Sequence, residues 1–206
     1  MMKKDESWSA FQEQVSEWAR RNFGSPGAYQ PMLGLIEEIG EYFAADELAF
    51  VRDKQEKKED AIADQVIYAL NLADECGIQL GDIIKIAYPQ NFTERQLLGA
   101  LALCSRAVLK HDQGIRGFDH AKRRVTMETG LRVWASWAQS QCGMMLAIPL
   151  YGCARRVWDD IVSKRDWKKN PVTAASQEQT PPILLDVKHK EVCDGCTVCE
   201  PDRIDG

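Results

Sequence analysis

An all-α fold is what this sequence predicts: a helical bundle built from two pseudo-repeated helical hairpins, with a flexible C-terminal tail. Three observations carry that expectation. Apolar residues recur at steps of three and four through most of the chain, the spacing of one face of an α-helix. No convincing strand-like alternation of apolar and polar residues is present. Short matches also recur at a near-constant offset. Leu33-Gly34-Leu35 and Leu98-Gly99-Ala100 stand 65 positions apart (99 − 34), and Cys76-Gly77 and Cys142-Gly143 stand 66 apart (142 − 76). A constant spacing of this kind marks a repeated supersecondary unit.

The elements follow in order. Trp8, Phe11, Val15 and Trp18, continued by Asn22 or Phe23, step along one face of a first helix that ends in the breaker Gly24-Ser25-Pro26-Gly27. This aromatic stripe fits core packing better than stacking on a base. Second and third helices are expected over 30–52 and 57–76, with Gly77 as the C-cap. A short element over 80–88 precedes the turn-prone Pro89-Gln90-Asn91. Thr93, with Gln96 three residues on, is the N-cap of a helix reaching Asp112. The loop QGIRGFD follows, then helices near 119–142 and 149–166. From Asn170 the composition turns to Pro, Ser, Thr and Gln, so a helical domain over 1–170 and a tail over 171–206 are expected.

A chain of 206 residues, 45% hydrophobic, is long enough for one domain with a substantial core. Its net charge of −5 argues against a dedicated nucleic-acid binder, which would carry a basic surface. No apolar run is long enough to span a membrane, and MMKKDESWSAF lacks the apolar stretch of a signal peptide. Seven scattered Cys fit a reducing compartment better than a disulfide framework. A cytoplasmic protein is the expectation.

Chemistry concentrates in two acidic stretches. MLGLIEEIGEYFAAD (32–46) carries Glu37, Glu38 and Glu41 on one helix, and no Lys or Arg occurs between Arg21 and Arg52. Like charges three and four apart destabilise a helix by roughly 0.2–0.5 kcal/mol per pair, so such a group calls for a counter-ion. The second stretch, 57–77, places Asp60 and Asp64 on a shared face that continues through Asn71 and Asp74 or Glu75, beside an apolar stripe of Ile62, Val66, Ala69, Leu70 and Ala73. Carboxylates facing each other from two antiparallel helices make a site for hard divalent ions, Mg²⁺ first and Mn²⁺ second.

EEIGE at 37–41, followed about twenty residues later by EDAIADQVIYALNLADECGIQL, resembles the MazG-like all-α nucleoside triphosphate pyrophosphohydrolases, a family that includes the dimeric dUTPases. The resemblance covers residues 5–80 well and 95–170 more loosely. It implies that an EExxE helix and an ExxD helix hold Mg²⁺, and that a nucleoside triphosphate is cleaved between its α- and β-phosphates to monophosphate and pyrophosphate. Glu37, Glu38 and Glu41 match the first motif, and Asp64 matches the Asp of the second. Ala61 stands where the family has Glu, a departure. Asp60, one residue earlier, is the nearest replacement and points about 100° away around the helix. At the repeat offset of 65, Glu37, Glu38 and Glu41 become Ala102, Leu103 and Arg106, so the second hairpin (93–167) would be a catalytically silent half. A homodimer stays open, because a fused silent half replaces one interface but not all.

Within that reading Glu38 is the candidate general base for the attacking water. Asn71 could read a base or ribose through its amide. Lys110, Arg116, Lys164 and Arg165 are candidate phosphate contacts, since triphosphate needs cations besides Mg²⁺ and guanidinium forks suit phosphate oxygens. Solvated surface charge explains these four equally well. In the tail, Cys193, Cys196 and Cys199 with His189 upstream have the spacing of a tetrahedral Cys₃His Zn²⁺ clip. A second reading keeps the same scaffold as a non-catalytic interaction or regulatory protein with a zinc-binding tail. Neither reading fixes the base, the sugar or the number of metal ions.

Overall fold

The computed structural model describes residues 7–24, 27–88, 92–143 and 149–164. The chain divides into two units, Met1–Lys169 and Asn170–Gly206, and every described residue lies in the first. Arg165, His189, Cys193, Cys196 and Cys199, and with them the zinc clip, lie outside the described residues.

The described residues form helices and no strand. In order these are α1 (Trp8–Phe23), α2 (Tyr29–Ala44), a 3-10 turn (Ala45–Glu47), α3 (Val51–Glu75), α4 (Leu80–Ile86), α5 (Glu94–Asp112), α6 (His120–Gln141) and α7 (Leu150–Lys164). The all-α expectation holds. α2 packs antiparallel to α3, and α5 packs against α6. α3 is the central element, touching α1, α2, α4, α6 and α7. Its residues Ala63, Val66, Ala69, Leu70, Leu72 and Ala73 are fully buried. That explains why α3 is apolar on more than one face, although a surface helix needs a single stripe.

Two helix–helix crossings depend on glycine. A Cβ on Gly34 would stand 2.3 Å from the Tyr68 ring, so glycine lets α2 settle against α3. A Cβ on Gly130 would stand 2.5 Å from Cys104 Sγ and 2.8 Å from the Ala100 carbonyl, so the α5–α6 crossing rests on Gly130. Gly99, the offset counterpart of Gly34, has open space around it. The two hairpins are therefore not held in the same way, although Cys76 and Cys142 both cap a long helix at its C-terminus.

Several caps follow the sequence. Thr93 and Gln96 form the capping box, with Thr93 N–H donating to Gln96 Oε1 at 2.9 Å. The C-cap of α3 is Cys76, one position before the expected Gly77, which takes φ +65° directly after it in the conformation glycine favours. The α2–α3 junction differs from expectation. α2 stops at Ala44 rather than near 52, and α3 begins at Val51 rather than near 57. Lysines from the next helix hold this end. Lys54 Nζ donates to the Asp46 carbonyl and Lys58 Nζ to the Asp46 carboxylate, each at 2.5 Å. Cations over a helix C-terminus satisfy its exposed carbonyls and its dipole.

The α1 stripe packs inward. Trp8 meets Tyr151 edge-on with ring centroids 4.9 Å apart, and Trp18 meets Trp158 at 5.4 Å. No helix among the described residues is long and apolar enough to cross a membrane.

Candidate functional site

Glu38 stands at the edge of the buried stripe of α2. Met32, Leu35, Ile39 and Tyr42 face the core, and Glu38 follows Leu35 by three residues and precedes Tyr42 by four. Its side chain is consequently half-buried, while Glu37 and Glu41 are exposed. Across the α2–α3 interface, Gln65 Nε2 donates to the Glu38 carbonyl at 3.3 Å, and Trp134 Nε1 donates to Gln65 Oε1 at 3.1 Å. This chain of contacts from α6 through α3 fixes the backbone of Glu38. Gln65 interrupts the apolar stripe of α3, and that polar residue at a core position was the available signal for it.

Burial pushes the Glu38 carboxyl up from its ordinary value, and Asp64, Glu41, Glu37 and Asp60 push it further, to about 8. The four charges acting on Glu38 are thus all carboxylates. The five acidic residues named from sequence lie within electrostatic reach of one centre, drawn from both helices. Lys54 and Lys58, near the start of α3, are committed to Asp46, and Lys58 also lies over the Tyr42 ring, 4.8 Å from its centroid.

Among the described residues, no three His, Cys, Asp or Glu side chains stand together as a ready ion-binding group. The cluster offers only oxygen donors, the kind of ligand a hard divalent cation takes. Mg²⁺ is commonly bound through one or two carboxylates with water and phosphate completing its shell.

Asp60 is exposed and borders a groove of about 910 Å³ between α3 and α7, together with Glu59, Lys57 and Arg156. Arg156 pairs with Glu59. Lys57 and Arg156 are cations beside the acidic cluster that sequence reasoning did not single out. Only the packing of α7 on α3 brings Arg156 there, and nothing local in the sequence signals it. Ala61 is 3% exposed, so a carboxylate at that position would enter the protein interior.

The other candidates are distributed differently. Asp74 pairs with Arg20 of α1 at 2.9 Å and so is drawn away from the cluster. Asn71 is partly buried, two turns along α3 from Asp64. Lys110 and Arg116 flank Asp112, whose carboxylate faces Tyr29 at the start of α2. The helical rise of 1.5 Å per residue puts Tyr29 roughly 13 Å along α2 from Glu38, so this basic end is set apart from the carboxylates. Lys164 pairs with Asp160 one turn back, at 2.7 Å.

No protein-family model, no curated protein and no solved structure matches the chain.

The buried position of Ala61 gives a test of the cluster. Ala61→Glu places a carboxylate one turn before Asp64, inside the α2–α3 interface. Without divalent cation the variant should be destabilised by roughly 1–3 kcal/mol or more, the cost of an unsatisfied buried polar group. Mg²⁺ should restore much of that loss. Thermal unfolding with EDTA and with Mg²⁺ checks it, and an unchanged deficit in Mg²⁺ counts against a cation between these helices.

Proposed function

We propose that this protein hydrolyses a nucleoside triphosphate between its α- and β-phosphates, releasing nucleoside monophosphate and pyrophosphate, with Mg²⁺ as cofactor. The observation that supports the reading is the half-buried Glu38 set among four further carboxylates on two packed helices. Glu37, Glu38, Glu41 and Asp64, with Asp60 at the edge, are the residues that would hold the ion. A bound Mg²⁺ supplies polarisation of phosphoryl oxygens and a lowered pKa for a bound water.

The chain's own residues supply the rest. Glu38, at the centre of the cluster, is the carboxylate placed to accept the proton of an attacking water and to pass it on. Gln65 and Trp134 hold its backbone in place. Lys57 and Arg156 border the adjoining groove and suit the phosphates of the substrate. No covalent intermediate is required, so no nucleophilic side chain is assigned. The resemblance of Glu37, Glu38, Glu41 and Asp64 to the MazG-like motifs, with Ala61 in place of the family's Glu, implies the same reaction.

A homodimer belongs to the same proposal. Leu33 and Ile36 on α2 and Leu98 on α5 are exposed, on two helices in contact, and supply an apolar face for it.

The second reading, a non-catalytic interaction protein on this scaffold, draws support from the buried Ala61 at the family's Glu position. A panel of nucleoside triphosphates with Mg²⁺, read by pyrophosphate release, separates the two. The enzymatic reading expects pyrophosphate from at least one triphosphate and none in EDTA. No turnover across the panel favours the scaffold reading.

A further inference from the structure

The turn between α5 and α6, formed by the QGIRGFD loop, is the basic end of the chain. Residues 106–124 hold six Lys or Arg against two Asp, a net charge of 6 − 2 = +4 in a chain whose total is −5. The turn is tightly closed. Gly114 N–H donates to the His111 carbonyl at 3.0 Å, Ile115 N–H to the Lys110 carbonyl at 3.1 Å and Phe118 N–H to the Ile115 carbonyl at 3.0 Å, and the Phe118 side chain is buried. His111, in the last turn of α5, and His120, the first residue of α6, meet across it with ring centroids 4.6 Å apart. Arg123 follows His120 by three residues, so the two are neighbours on the surface of α6.

These cations lack counter-charges. Every described Lys or Arg of α1 and α7 is paired with a carboxylate. In residues 106–124, Arg124 alone among the described residues is so paired, to Glu128. The two aspartates of the segment are engaged elsewhere. Asp119 Oδ1 accepts the Lys122 N–H at 2.8 Å as the N-cap of α6, and Asp112 faces Tyr29. Arg123 is partly buried, and its Nε is shielded from solvent with no hydrogen-bond acceptor. A buried donor left unmet is costly. We propose that the α5–α6 turn is a second ligand site, binding a small phosphate-class anion such as pyrophosphate between His111, His120 and Arg123, with Lys110, Arg116 and Lys122 adding charge around it.

Three groups that carry or can take a positive charge stand together here, and like charges at such spacing repel. Burial lowers the proton affinity of His111, Arg123 and His120 lower it further, and Asp112 opposes them. An anion between the groups removes the repulsion and favours the protonated imidazoles, because an opposite charge stabilises a charged form. Phosphate oxygens suit the set. A guanidinium fork takes two of them, and imidazolium and ammonium N–H groups add charge-assisted hydrogen bonds. The groups converge on one turn, which fits a small anion better than a nucleic-acid strand, whose backbone is held by a row of contacts.

The site is independent of the proposed hydrolysis and is tested without it, on the full chain in EDTA, so that no divalent ion bridges pyrophosphate to the acidic cluster. The chain has three histidines, and His189 in the tail serves as the control. Their imidazole signals are followed by NMR as pyrophosphate is added at fixed pH and ionic strength. A single-stranded oligonucleotide of equal phosphate content forms a second arm. The expected result is a saturable movement of His111 and His120 toward the protonated imidazole with pyrophosphate, none at His189, and a weaker response to the oligonucleotide. Arg123→Gln should weaken pyrophosphate binding by at least about tenfold, the scale of losing a hydrogen bond to a charged group. His120→Gln, read at His111, should also weaken it and decides the matter should the Arg123 variant fail to fold. Arg95→Gln, which removes an exposed cation at the other end of α5, should leave binding unchanged. The proposal is overturned if His111 and His120 do not respond, if His189 moves as much, or if the site variants bind like the parent. It is equally overturned if Arg95→Gln costs as much as they do, or if the oligonucleotide moves the same signals at least as strongly.

Discussion

Glu38→Gln and Glu41→Gln should each lower Mg²⁺-dependent release of pyrophosphate by at least about 10²-fold, the scale of losing a positioned acid–base or ion-supporting group. Gln keeps the shape of Glu and removes its charge, so both variants should remain folded. The two losses have different origins. Glu38 is half-buried at the centre of the cluster and is the candidate base, whereas Glu41 is exposed and contributes charge toward the ion. Steady-state kinetics over a Mg²⁺ series distinguishes them. Glu41→Gln should recover part of its rate at high Mg²⁺, and Glu38→Gln should not. Parent-like rates in both variants at every Mg²⁺ concentration would place the chemistry elsewhere.

The same carboxyl makes stability depend on pH. Glu38 holds its proton more tightly in the folded chain, near 8, than at its ordinary value of 4.5. Its contribution to stability is full below about pH 4.5 and is lost as pH rises toward about 8, because the folded state must then either keep the proton or bear a charge among four others. Across that window the loss stays below the full value of roughly 1.4 kcal/mol per pH unit, because solvent screens the half-exposed side chain. Glu38→Gln has no proton to lose. Its melting temperature should match the parent near pH 4.5 and exceed it at pH 8.5 by several degrees, given about 2–4 °C per kcal/mol for a domain of this size. Mg²⁺ should narrow the gap by stabilising the parent. Calorimetry at the two pH values checks this, and a gap of equal size at both contradicts the strained carboxyl.

Local features were the most legible in the sequence. Thr93 and Gln96 announce the start of α5, and Gly77 marks the end of α3, because caps and left-handed turns depend on residues a few positions apart. The acidic cluster was also legible, since i, i+3 and i, i+4 spacing fixes which carboxylates share a helix face. Contacts made by distant segments were not. The end of α2 is held by Lys54 and Lys58, and no Pro or Gly between Ala44 and Val51 signals a break. Arg156 reaches Glu59 only because α7 lies on α3. Asp74 was placed on the acidic face by periodicity, and its partner Arg20 comes from a helix 54 positions earlier.

The most direct test of a cation-binding acidic cleft centred on Glu38 is a ¹³C NMR titration of the side-chain carboxyl carbons. The parent and Glu38→Gln are followed from pH 4 to 10, each with and without Mg²⁺. The account predicts one carboxyl with a midpoint near 8 in metal-free parent, absent from Glu38→Gln, and moved to lower pH by Mg²⁺. A Glu38 midpoint in the ordinary carboxylate range near 4.5, or one near 8 that Mg²⁺ leaves in place, would contradict it.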